Sequence, residues 1–67
     1  MRFDYFVGVL AEKNGYALET RYYSNDESQA FNFFNHCTEY YSKHALRVIV
    51  LKKWSNDDYH QIKIVTH

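Results

Sequence analysis

Proline is absent from this sequence, glycine occurs twice and cysteine once. With no proline and no glycine-rich stretch, no segment has the composition of a linker, and residues 1–67 read as one domain. A single thiol, Cys37, excludes an internal disulfide, so a chain this short must be held by its core or by a partner. No apolar run approaches the roughly 18 residues of a membrane span and no apolar leader opens the chain, so the expectation is a cytoplasmic protein without membrane contact. Net charge is missing as well. Eight basic and eight acidic side chains balance, which removes any overall bias toward nucleic acid or lipid.

Patterns that carry chemistry are equally scarce. His36, Cys37, His44, His60 and His67 lack the paired short spacings of a zinc site, and Cys37 lies on an apolar helical stripe, where free cysteine packs as a small hydrophobe. No glycine-rich loop cradles a phosphate, and neither Gly8 nor Gly15 sits in a nucleophile elbow. The acidic pairs Asp26–Glu27 and Asp57–Asp58 fall at a helix start and a turn, where local structure explains them. The expectation is a non-enzymatic protein with no cofactor and no metal.

Aromatic side chains are what the sequence has in abundance: 19% of residues, with seven Tyr, five Phe and one Trp. They organise one stretch above all, residues 24–44. Ala30, Phe33, Phe34, Cys37, Tyr40, Tyr41 and His44 recur at helical spacing on one face. Ser24 and Glu27 have capping-box spacing, Asp26 and Glu27 suit the positive end of the helix dipole, and Lys43 and His44 suit the negative end.

The flanks read as strands. Residues 2–12 alternate with Phe3, Tyr5, Val7, Val9 and Ala11 on one side, and Asn14-Gly15 supplies a two-residue hairpin turn. Pairing across it sets Ala11 against Leu18, Val9 against Thr20 and Val7 against Tyr22, so the inward sets share a face. After the helix, ALRVIVLKKW is an apolar, β-branched run ending in charge, and YHQIKIVT follows the turn cluster at residues 55–58. A turn centred on Asn56-Asp57 pairs Trp54 with Tyr59, Leu51 with Ile62, Ile49 with Ile64, Val50 with Lys63 and Val48 with Val65.

The expected fold is therefore α+β, a ββαββ domain whose four strands form one antiparallel sheet in the order 2-1-3-4, with the helix on one face. One helix covers one face. The other would carry Phe6, Leu10, Tyr23, Val48, Val50, Trp54, Tyr59 and Val65, a larger apolar patch than a soluble monomer usually shows.

Charge is polarised along the chain. Residues 1–42 carry a net −3 and residues 43–67 a net +3, the latter from Lys43, Arg47, Lys52, Lys53 and Lys63 against Asp57 and Asp58. Trp, Tyr and Arg concentrate binding energy at protein interfaces, and polarised charge steers association. Tyr23, Arg47, Lys52, Lys53, Trp54, Tyr59, His60 and Lys63 are the candidate contact residues for another protein. A homodimer through the open sheet face is compatible with that reading. The alternative is a single-stranded RNA or DNA platform on the basic, aromatic second hairpin, although Lys52 and Lys53 also suit gatekeeper charges on an aggregation-prone strand.

The segments YYSNDESQAFNFF and ALRVIVLKKW together resemble the strand, capped helix, strand layout of small phage-encoded inhibitors of host enzymes. These include anti-CRISPR proteins and a phage inhibitor of bacterial RNA polymerase. The resemblance covers residues 20–54 and carries no binding motif, so it implies a class and no site: a small inhibitor or modulator, phage-encoded, that occupies a partner's surface.

Overall fold

The computed structural model describes residues 2–40 and 45–66, with the backbone alone for Leu46 and Arg47. Its elements run β1 Tyr5–Lys13, β2 Tyr16–Ser24, α1 Glu27–Tyr40, β3 Leu46–Ser55 and β4 Asp58–Thr66. The strands form one antiparallel sheet in the order β2-β1-β3-β4, with α1 packed on one face. The domain is α+β with the ββαββ layout that its patterning dictates.

The first hairpin takes the register set by its turn: Val9 faces Thr20, Val7 faces Tyr22 and Ala11 faces Leu18. Asn14 and Gly15 have φ of 53° and 82°, the double positive φ of a type I′ turn. A Cβ added at Gly15 would meet nothing within 4 Å, so any cost of a side chain there is conformational alone. Gly15→Ala should therefore destabilise by about 1 kcal/mol, lowering Tm by about 4–8 °C in a thermal melt.

The second hairpin departs from expectation. Its turn at Asn56 and Asp57 forms with φ of 53° and 64°, and Trp54 pairs with Tyr59. Between Leu51 and Lys52 the register then shifts by one. Leu51 faces Lys63, Ile49 faces Val65 and Val50 faces Ile64, while Ile62 takes no partner. One extra residue in β4 is a β-bulge, and side chains alternate every residue, so the bulge reverses which β4 residues face the helix beyond it. Val65 consequently packs against the core, and Ile64 takes its place on the open side, 45% exposed. A second shift, between Leu10 and Ala11, leaves Arg47 unpaired in the ladder to β1.

Beneath the helix the core is built from Tyr5, Val7 and Val9 of β1, Ile49 and Leu51 of β3, and Ala30, Phe34 and Cys37 of α1. Tyr22 closes one side by stacking on Phe33, with ring centroids 4.3 Å apart. Tyr40, placed on the same stripe by periodicity, is 73% exposed. At about 100° per residue it lies about 80° round the helix from Ala30, at the stripe's margin. The continuation of the stripe at Tyr41 and His44 lies outside the described residues, as does Lys43.

The helix start is capped two residues later than the Ser24–Glu27 spacing suggests. The Gln29 amide donates to Asp26 Oδ1 at 3.0 Å, and the Ala30 amide donates to the Asp26 carbonyl at 3.1 Å, which makes Asp26 the N-cap. Ser24, two residues earlier at the end of β2, is buried, and its Oγ accepts the Asp26 amide at 3.0 Å. Glu27 is thereby free to accept from the Tyr5 hydroxyl at 2.8 Å, tying the helix start to the sheet.

That hydrogen bond to Glu27, with smaller contributions from burial and from the Glu27 and Asp4 charges, raises the Tyr5 hydroxyl pKa above its ordinary value. Deprotonation is then harder in the folded protein than in the unfolded chain. The stabilising contribution is full below the ordinary tyrosine pKa of about 10 and declines as pH rises through the folded value. The urea midpoint of the wild type should fall across that alkaline window, and the fall should be smaller in Tyr5→Phe.

Candidate functional site: the open sheet face

Strand alternation sends Phe6, Gly8 and Leu10 of β1 away from the helix, together with their neighbours Glu19, Arg21 and Tyr23 on β2 and Val48, Val50 and Lys52 on β3. Nothing in the described chain covers this side: Leu10 is 39% and Tyr23 43% exposed. A connected set of rings occupies one end of it. Tyr23 lies 5.8 Å from Phe3 and 5.1 Å from Phe6, Phe6 lies 6.0 Å from Tyr59, and Tyr59 meets Trp54 edge-on at 5.0 Å. The Arg2 guanidinium sits over the Trp54 ring at 5.1 Å, a cation–π contact.

Backbone and side-chain hydrogen bonds hold this end in place. The Trp54 amide donates to the Asp4 carbonyl at 2.8 Å, extending the β1–β3 ladder, and the Tyr59 hydroxyl donates to the Phe3 carbonyl at 2.7 Å. The chain segment before β1 is thus bound to the second hairpin, and the aromatic rings are fixed relative to one another.

Among the open depressions on the face, Phe6 lines two. One, of about 330 Å³, is lined by Phe6, Tyr23, Lys52, Asp58 and Tyr59. The other, of about 340 Å³, runs along the sheet between Leu10, Glu19, Val48 and Val50 over Gly8. Gly8 allows the Phe6 ring to lie down across it: a Cβ there would come within 3.0 Å of Phe6 Cζ and 3.4 Å of Val50 Cγ1. The combined shape is a shallow, ring-walled surface suited to side chains of another macromolecule rather than to enclosing a small molecule.

The structure divides the candidate contact residues between the two sides of the sheet. Tyr23, Lys52, Trp54 and Tyr59 come together on the open face. Lys53 and Lys63 do not. Lys53 Nζ lies over the Tyr5 ring at 5.8 Å and Lys63 Nζ over the Phe34 ring at 5.0 Å, both on the helix side. His60, the ladder partner of Lys53, closes its own hairpin: Nε2 donates to the Ser55 carbonyl at 2.8 Å. The Arg47 side chain lies outside the described residues. Lys63 is relocated by the Ile62 bulge, whereas Lys53 and His60 follow the alternation of their strands.

Arg2 and Phe3 join the site without having been candidates: alternation over residues 2–12 puts Phe3 on the helix side with Tyr5, but β1 begins only at Tyr5, and the Phe3 ring before it meets Tyr23 of the open face. Phe6 was assigned to this face but not to the contact set. Its parity with Gly8 and Leu10 was the available signal.

Among the described residues, no group of three His, Cys, Asp or Glu side chains could hold a metal ion. Cys37 is buried, and burial holds its thiol above the ordinary cysteine pKa, so it lacks the thiolate character of a nucleophile. His36 is exposed and stacks on Tyr40 with ring centroids 6.0 Å apart. No described helix is long and apolar enough to cross a membrane. No protein-family model, curated protein or solved structure matches this chain.

Proposed function

We propose that this chain is a small non-enzymatic protein-binding module, an inhibitor or modulator that acts by occluding the surface of a partner protein. The observation that carries the reading is the fixed, uncovered cluster of Phe3, Phe6, Tyr23, Trp54 and Tyr59 on the side of the sheet away from the helix. Aromatic rings held by their neighbours present large contact area with little side-chain entropy left to lose on binding. Lys52 and Asp58 beside the cluster, with Arg2 over Trp54, supply a polar margin around an apolar centre, the usual anatomy of an interface. No chemistry is required of such a protein. Its action is steric, in the cytoplasm, and the resemblance of its layout to small phage-encoded inhibitors accords with that role.

Charge placement favours protein over nucleic acid as the partner. Backbone phosphates dominate nucleic-acid affinity, and a stacking platform needs cations beside its rings. Here Lys53 and Lys63 stand across the sheet from the aromatic cluster, Arg21 is paired with Glu19 at 2.7 Å, and Asp58 lines the same depression as Lys52.

Affinity capture from bacterial lysate, with and without nuclease and at two salt concentrations, tests the proposal. The expected result is one dominant protein retained after nuclease treatment and at the higher salt. Retention that vanishes with nuclease and falls steeply with salt would instead identify a nucleic-acid binder. Capture of no other component under any of these conditions would overturn the proposal, whether or not the chain associates with itself.

A further inference from the structure

We infer that β2 is a self-complementary edge through which two copies of this chain pair antiparallel, extending both sheets into one. This inference concerns the sheet edge and stands independently of what the open face binds.

The two edges of the sheet are built differently. β4 is interrupted by the bulge at Ile62, and Lys63 lies beside it. Bulges and lysines are the devices that keep edge strands from pairing. β2 carries neither: Tyr16–Ser24 pairs with β1 in unbroken register along its whole length, with no proline, lysine or bulge, and every residue from Tyr16 to Arg21 is exposed.

Hydrogen-bond parity identifies the free backbone groups. A two-residue turn closes on a hydrogen-bonded pair, here Lys13 and Tyr16, and hydrogen-bonded pairs then alternate along an antiparallel ladder. Tyr16, Leu18, Thr20 and Tyr22 thus point their amides and carbonyls at β1. Ala17, Glu19, Arg21 and Tyr23 point theirs outward.

A two-fold axis through Thr20 satisfies every requirement at once. It sets Glu19 against Arg21 of the second copy and Ala17 against Tyr23, and these are the residues whose backbone groups are free to bond. Thr20 meets Thr20 in a non-hydrogen-bonded pair, and Leu18 meets Tyr22 on the helix side. The Arg21–Glu19 ion pair, 2.7 Å within one chain, becomes part of a four-charge ladder of alternating sign. Moving the axis by one residue either way opposes Glu19 to Glu19 or Arg21 to Arg21, so charge selects this register. An isologous contact of this kind closes on itself and stops at two copies.

Sedimentation equilibrium across a wide concentration range tests the pairing. The wild type should be a monomer–dimer system. Glu19→Arg and Arg21→Glu should each weaken the dimer about tenfold or more, since every mutated pair recurs by symmetry. The double exchange Glu19→Arg with Arg21→Glu should restore it, and the two single variants should form a mixed dimer when combined. Far-UV circular dichroism checks that each variant is folded, and the mixed dimer requires both singles to be. A wild type that stays monomeric at the highest concentration would overturn the inference, as would a dimer that neither single exchange weakens.

Discussion

Replacing Phe34 by alanine should leave the chain largely unfolded in water at room temperature. Phe34 is 1% exposed and sits where the helix meets both central strands, within the cluster formed with Val7, Val9, Ile49 and Leu51. Truncating a buried phenylalanine costs about 3–5 kcal/mol through lost transfer energy and the cavity left behind. A single core in a domain this short rarely supplies more than about 3–5 kcal/mol of stability in total. The sheet offers no second core to absorb the loss, because its other face is uncovered. Tyr40→Ala, at the margin of the same helical stripe and 73% exposed, should change stability by no more than about 0.5 kcal/mol. Urea titration followed by far-UV circular dichroism compares the two. Equal effects would mean that the helix does not pack through the face described above.

Trp54→Ala should weaken partner capture by about thirtyfold or more, corresponding to about 2 kcal/mol, the scale of an interface hot spot. Trp54 is half-buried between the Arg2 guanidinium and the edge of Tyr59, so its ring is oriented before any partner arrives. Lys53→Ala is the matched control. Lys53 neighbours Trp54 in sequence but lies over Tyr5 on the helix side, and its loss should leave capture unchanged. Quantitative pull-down with each variant against the captured protein reads both effects. If Lys53→Ala and Trp54→Ala proved equally damaging, the contact would be with the end of the second hairpin and not with the open face.

The pair Trp54 and Lys53 also shows how far sequence patterning reaches. Periodicity identifies both as neighbours of a charged, aromatic hairpin, yet alternation sends them to opposite sides. Choosing candidates by residue type and charge therefore merged two surfaces that the sheet keeps apart. Register adds a second limit. The first hairpin was legible residue by residue, because Asn14-Gly15 fixes the turn and no residue is inserted afterwards. In the second hairpin the turn was equally legible, but the bulge at Ile62 was not. Alternation in QIKIV sends Ile62 and Ile64 inward, a one-residue slip sends Lys63 and Val65 inward instead, and packing decides for the second. The slip sets Lys63 on the helix side, where its ammonium lies over the Phe34 ring.

Local chemistry sufficed for the elements themselves. The order of strands and helix, the two turns, the amphipathic face of Ala30, Phe34 and Cys37, and the conclusion that one helix must leave half the sheet bare all follow from spacing and residue type, because these depend on neighbours a few positions away. Tertiary structure alone decided which β4 residues look inward, which side chain caps the helix, and that Arg2 and Phe3 join rings some twenty to fifty residues distant. Those outcomes depend on volumes and hydrogen-bond partners brought together only after the sheet has closed.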